Sequence, residues 1–374
     1  MRSLAAVAAL IICGCPSVFA DTFGTGENTF EIEFVTIGDP GNEPDTTGTP
    51  NNVGAVDYVY RIGKYEVSEG MVDAVNALGG LNLDLTPWGP NKPALEIHWL
   101  DAAKFVNWLN TTKGYLPAYK FVADEFQLWQ PFEAGYDPDN LFRNTLARYF
   151  LPSDDEWYKA AYYDPIAEVY YDYPTGSDSV PDGIDFAGDT TFDAVFYDGA
   201  RNPQPNDFTD VGVLSPYGTA GQGGSATEWL ETASDNPEAS RAWRGGEWND
   251  QVYKLESTFR AIGPADYGGA DQGFRVVFRL PDANADANGD GHVDGTDYLI
   301  WAAAYGDDPA LDPPGSPLNG DFNFDERVDG LDYLVWAANY LQGPNDGVVV
   351  PEPRSVTLFI AGVLAALRVR RKGI

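Results

Sequence analysis

The sequence predicts a loop-rich α+β domain followed by a small helical module. Three observations carry this. Residues 21–281 show no sustained helical period, and short apolar runs alternate there with Gly, Pro, Asn and Asp clusters. The 374-residue chain has 40 Gly and 27 Pro, and aromatic residues make up 14% of it, a mix suited to irregular backbone around bulky core side chains. Near the C-terminus, VDGTDYLIWAAAY (293–305) returns as VDGLDYLVWAANY (328–340). With 44% hydrophobic residues there is material for a core, and the length suits more than one domain.

Residues 1–20 read as a secretory signal. Arg2 supplies the positive charge, Leu4 to Ile12 the short apolar stretch, and Val18-Phe19-Ala20 a small-x-small cleavage site. Both cysteines, Cys13 and Cys15, lie inside this segment, so cleavage after Ala20 leaves no thiol. Ile12-Cys13-Gly14-Cys15 offers an alternative lipoprotein-type processing site that would leave Cys15 lipidated.

Within 21–281 two segments read as helices. Asp101 to Leu109 places Ala102, Phe105, Val106 and Leu109 on one face, and Ser153 to Tyr162 opens with a capping residue and acidic first turn. Six signatures occur in order: YRIGKYEVSEG (60–70), PALEIHWLDAAKFVNWLN (93–110), FLPSDDEWYKAAYYD (150–164), YGTAGQGGSATEWLE (217–231), RAWRGGEWND (241–250) and DQGFRVVFRL (271–280). Together they resemble the formylglycine-generating enzyme, or sulfatase-modifying factor, family over about residues 30–280. The resemblance implies a C-type-lectin-like fold with little regular structure. Trp108, Trp157, Trp229, Trp243 and Trp248 sit inside the motifs and read as core packing.

The family's oxidases hold copper with two cysteines. Counting from Gly245-Gly246, those positions fall on Asp250 and Leu255, neither of which offers the thiolate that Cu(I) requires. The related iron branch needs histidines, and this chain has two, His98 and His292. His98 lies within an apolar pattern and reads as a core or groove residue. No copper or iron centre is therefore expected. The family's structural calcium site is built on a Gly-Asn-x-x-Glu-Trp element; here Gly224, Ser225, Glu228 and Trp229 match it, which makes Glu228 a candidate calcium ligand.

Residues 282–343 carry the repeat. Asp286, Asn288, Asp290, Asp294 and Asp297 occupy positions 1, 3, 5, 9 and 12 of a loop, and Asp321, Asn323, Asp325, Asp329 and Asp332 do so again. This is the hard-oxygen spacing of an EF-hand-type calcium loop. The carbonyls of His292 and Arg327 fill position 7. Gly291 permits the sharp turn at position 6, whereas Glu326 stands there in the second loop. After each loop, Tyr298, Trp301, Ala302 and Tyr305, and Tyr333, Trp336, Ala337 and Tyr340, share one helical face. Two loop–helix units with Asp at position 12 resemble a type I dockerin, which implies paired packing and a cohesin-like partner. The family's recognition pair is here Gly295-Thr296 and Gly330-Leu331.

Residues 344–374 form a third addressed segment. Pro351-Glu352-Pro353 precedes an apolar stretch from Val356 to Leu367 and a basic cluster of Arg368, Arg370, Arg371 and Lys372. This resembles a PEP-CTERM sorting signal, which implies processing by an exosortase-type membrane protease. The stretch is shorter than the roughly 20 residues of a stable span, so it suits a transient transmembrane anchor.

The formal charge of −34 excludes nucleic acid as a surface partner and favours divalent cations. These expectations converge on an exported protein of the cell envelope or medium: a binding or scaffold protein with an unidentified ligand for its large domain and a calcium-dependent module. An enzyme with altered chemistry, acting through Asp250, is the alternative, and an adaptor that binds only through the repeat is a third reading.

Overall fold

The computed structural model describes residues 18–183, 193–199, 205–233 and 239–279, and further along the chain 285, 287, 293–306, 320–322 and 328–340. The chain divides into two compact units, Met1–Pro281 and Asp282–Ile374. Among the described residues no helix is long and apolar enough to cross a membrane. Val356 to Leu367, the basic tail, Pro351-Glu352-Pro353 and the two cysteines lie outside the described residues.

The first unit starts with strands β1 (Val18–Phe23), β2 (Phe30–Ile37) and β3 (Tyr60–Gly63), followed by helices α1 (Glu69–Gly79) and α2 (Trp99–Thr112). Strands β4 (Lys120–Val122) and β5 (Glu125–Gln127) make a hairpin. Next come β6 (Tyr149–Phe150), α3 (Asp154–Tyr162) and a hairpin of β7 (Tyr163–Asp164) and β8 (Val169–Tyr170). Strands β9 (Thr227–Ala233), β10 (Ser240–Arg244), β11 (Ala261–Pro264), β12 (Gln272–Gly273) and β13 (Val277–Arg279) complete it. One five-stranded sheet has the order β1-β2-β3-β13-β6, and a four-stranded sheet has β11-β10-β9-β12. Short strands, few helices and long connections make this a loop-rich α+β domain.

Sequence periodicity locates α2 well: Ala102, Phe105, Val106 and Leu109 are all fully buried. Helix α3 starts at a complete capping box, in which the Ser153 side chain accepts from the Glu156 N–H and the Glu156 carboxylate accepts from the Ser153 N–H. Helix α1 is an addition to the sequence reading; the Ser68 side chain caps its start and Gly80, left-handed at φ 63°, its end. Trp157 and Trp229 are fully buried, while Trp108, Trp243 and Trp248 are half-buried.

Val18-Phe19-Ala20 lies in β1, where Ala20 pairs with Glu33. Cleavage after Ala20 would keep the pairs Asp21–Ile32, Thr22–Glu31 and Phe23–Phe30. The Tyr149 hydroxyl donates to Asp21 Oδ2 at 2.7 Å.

Several cations of this acidic chain lie in its interior. Arg61, Arg143, Arg241, Arg244, Arg275 and Lys159 are all buried. Arg143 bridges Glu156 on α3 and Glu231 on β9, each at 2.9 Å, and Arg244 pairs with Asp154 at 2.5 Å. Hydroxyls of Tyr58 and Tyr119 donate to Glu156 and Glu231. Buried carboxylates need such partners. The acidic run Asp154-Asp155-Glu156 thus starts a helix, as the sequence suggests, and also anchors it to the second sheet.

The second unit contains helices α4 (Gly295–Ala304) and α5 (Gly330–Asn339). Ala285, Ala287, Val293 and Phe322 form its buried cluster, with Ile300, Trp301, Val335 and Trp336 packed against it. The apolar face is therefore narrower than the sequence period suggests. Ala302 and Ala337 are exposed, as are Tyr305 and Tyr340, because packing goes through Ile300 and Val335, each next to a tryptophan.

Candidate functional site

Three constellations bear on function. The first surrounds Asp250. Its carboxylate pairs with Lys254 at 2.5 Å and accepts from the Glu247 N–H at 3.1 Å. Glu247, Asp250 and Asp271 bring one carboxylate oxygen each within 4.8 Å of one another. Burial pushes the Glu247 carboxyl up to about 7 and raises that of Asp271, and in both Asp250 adds like-charge repulsion. Trp88 and Trp248 meet edge to face at 6.1 Å, and the Trp248 N–H bonds the Ser225 carbonyl. Leu255 is fully buried against Tyr173, Ala194 and Phe196. One position matching a family cysteine thus carries a lysine-paired carboxylate, and the other is core.

The second constellation surrounds Glu228, the candidate calcium ligand of the large domain. This residue, on β9, is fully buried, and Arg275 grips it through Nε–Oε2 and Nη2–Oε1 bonds of 2.6 Å each. The Trp157 indole N–H adds a bond of 2.7 Å to Oε2. Arg275 also donates to the carbonyls of Gly63, Lys64 and Ala220, so its whole fork is used. A carboxylate already neutralised by a guanidinium is a poor place for calcium.

Glu66 is a further buried carboxylate, one that the sequence does not single out. It is 1% exposed, and among the described residues neither oxygen has a hydrogen bond of good geometry. Burial pushes it up to about 8, a shift that Arg275 opposes and Glu228 reinforces. Gly221, at φ +71°, packs against it; a Cβ there would stand 2.8 Å from both Glu66 oxygens. The fully buried Ser225 hydroxyl beside it also opposes the shift.

His98 differs from expectation as well. It is exposed at the N-terminus of α2, with Nδ1 3.8 Å from Asp101, while its neighbours Ile97 and Trp99 point into the core.

The third constellation is the repeat. Of its candidate ligands, Asp294, Asp297, Asp321, Asp329 and Asp332 lie within the described residues; Asp286, Asn288, Asp290, His292, Asn323, Asp325 and Arg327 lie outside them. Asp297 and Asp332, both at position 12, are fully buried. Asp297 accepts from the N–H groups of Ala287 and Asp294, and Asp332 from those of Phe322 and Asp329, all at 2.7 Å. Each loop is entered through a left-handed residue, Ala285 at φ 57° and Gly320 at φ 85°. A Cβ on Gly320 would lie 2.6 Å from the Trp301 Cα. The two units therefore match in backbone as well as in sequence.

Residues 38–280 match the family described as sulfatase-modifying factor enzyme 1-like domain. The chain belongs to that family. Similar solved structures include Treponema denticola variable protein 1, with 18% identity and a TM-score of 0.49 over 70% of this chain and 99% of that one. CarF shares 20% identity with a TM-score of 0.48 over 67% and 99%, and PvdO from Pseudomonas aeruginosa 16% with 0.44 over 72% and 100%. No curated protein sequence matches the chain.

Proposed function

We propose that this sulfatase-modifying factor family member is an exported binding or scaffold protein of the cell envelope or medium. In this reading its large domain has exchanged redox chemistry for ligand binding, and a dockerin-like module at 282–343 binds calcium. The observation that carries the reading is the matched pair of loops: in each, the buried position-12 carboxylate is fixed by the N–H groups of positions 2 and 9. The donor set is hard oxygen throughout, which fits Ca²⁺. When bound, calcium would neutralise the clustered carboxylates, with Asp297 and Asp332 closing the loops onto their helices. The partner would be a cohesin-like module, and the ligand of the large domain is a separate unknown.

The metals carried by the purified chain test this reading, calcium supporting it and copper or iron opposing it. The proximity of Glu247, Asp250 and Asp271 favours a second reading, an enzyme of altered chemistry. Glu247, titrating near neutrality, would be its acid–base group.

The export half of the proposal includes processing of the tail by an exosortase-type protease. Substituting Pro351 and Pro353 by Ala is expected to leave an unprocessed, membrane-retained form. Mass spectrometry that finds Ile374 still attached to the wild-type protein from its own host would refute the sorting assignment.

A further inference from the structure

We infer that the two loops of the C-terminal unit are coupled through a reciprocal tryptophan latch, so that calcium at either loop tightens the other. This rests on the calcium reading above and goes beyond it to how the sites are regulated. The Trp301 indole, on α4, donates through Nε1 to the Asp329 carbonyl of the second loop at 2.9 Å. The Trp336 indole, on α5, donates to the Asp294 carbonyl of the first loop, also at 2.9 Å. Each bond therefore runs from the helix of one unit to position 9 of the other.

Position 9 is where such a bond has most leverage. The Asp294 residue meets the latch through its C=O, while its N–H holds Asp297 Oδ2 and its side chain caps α4 through the Thr296 N–H. One residue is thus tied to the opposite helix, to the position-12 ligand and to the start of its own helix. Asp329 repeats two of these ties, with Trp301 on its C=O and Asp332 on its N–H. Trp336 lies one helical turn beyond Asp332, and Trp301 one turn beyond Asp297. Fixing one loop fixes its position-9 carbonyl, hence the opposite tryptophan, hence the helix whose first turn supplies the opposite position-12 carboxylate.

The rings make the latch rigid. Tyr298 lies 5.2 Å from Trp336, Trp301 lies 5.4 Å from Tyr333, and the two tyrosines meet at 6.5 Å. Four aromatic rings between two short helices leave little room for one unit to order without the other. Two sites that bias one shared ordered state are coupled, and the coupling is reciprocal.

The test isolates each loop in the full chain. Asp332→Ala disables the second loop, and Asp297→Ala the first; the double variant serves as the calorimetric blank. In the Asp332→Ala background only the first loop binds, and Trp336→Phe, which keeps a ring but loses the donor, is expected to weaken it about tenfold. In that background Trp301→Phe should change affinity far less, although it sits on the first loop's own helix. In the Asp297→Ala background the order should reverse. Circular dichroism at saturating calcium checks that each variant reaches the same helix content. Equal losses in both backgrounds, or losses confined to each tryptophan's own loop, would overturn the latch while leaving calcium binding intact. A wild-type chain with no calcium isotherm above the blank would instead bring down the calcium reading, and the latch with it.

Discussion

Stripping divalent cations from the full chain is expected to unfold α4 and α5, and adding Ca²⁺ to restore them. Each helix has ten residues, too few to persist on its own. Their shared cluster is small, and Asp297, Asp321 and Asp332 are fully buried in the same unit. Without a cation these carboxylates repel one another and pay for desolvation. Calcium at about 100 times its Kd would add roughly 2.7 kcal/mol to the ordered state, enough to decide its population. Hydrogen exchange resolves this unit from the large domain: protection over 295–304 and 330–339 should appear with calcium and vanish with chelator. The first loop should bind more tightly, because Gly291 permits the turn that Glu326 resists. At limiting calcium, Asp297→Ala should therefore cost more helix than Asp332→Ala. Protection indifferent to calcium would count against coupled folding, and equal losses against the ranking.

In the large domain the largest effect is expected at Arg275. Replacing it by Met keeps the volume but leaves Glu228 and Glu66 buried without the guanidinium between strand, loop and carboxylate. Breaking a buried pair in this way costs about 3–5 kcal/mol. In a unit of this size the melting temperature should fall by roughly 10 °C. Glu66 gives the same locus a pH signature. Its carboxyl is raised to about 8 from an ordinary 4.5, so between those values the folded state holds a proton that the unfolded state has released. Stability contributed by this residue therefore falls as pH rises through that window. Glu66→Gln should remove that loss, so the difference between variant and wild type, measured in chelator, should grow from pH 5 to pH 8 by an amount on the order of a few kcal/mol. A difference that stays flat would mean Glu66 titrates normally.

What the sequence disclosed follows from the range of the interactions involved. Helix α2 was legible because its four core residues recur at helical spacing, and α3 because Ser153 and Glu156 form a capping box three residues apart. Helix α1 is harder to read although Ser68 and Gly80 bracket it, since Gly70 and Asp73 interrupt a short apolar stripe. The pairing of β3 with β13 joins Ile62 to Val277 and leaves no local trace in either segment. Glu66 looks like an ordinary strand-flanking acid in KYEVSE; only the approach of Arg275, Gly221 and Ser225 makes it exceptional. Trp301 and Trp336 were visible as repeated helical positions. Their role was not, because each acceptor is a backbone carbonyl in the other loop, which no side-chain pattern encodes.

The central claim is that this family member binds calcium through the two loops that follow its large domain. Elemental analysis of the full-length chain purified from its own host, without chelator or added metal, tests that most directly. The account predicts about two calcium ions per chain, one for each loop. Those ions should be lost from the Asp297→Ala/Asp332→Ala variant, with copper and iron at background. Copper or iron at one per chain, especially with turnover of a cysteine-containing sulfatase peptide, would contradict it.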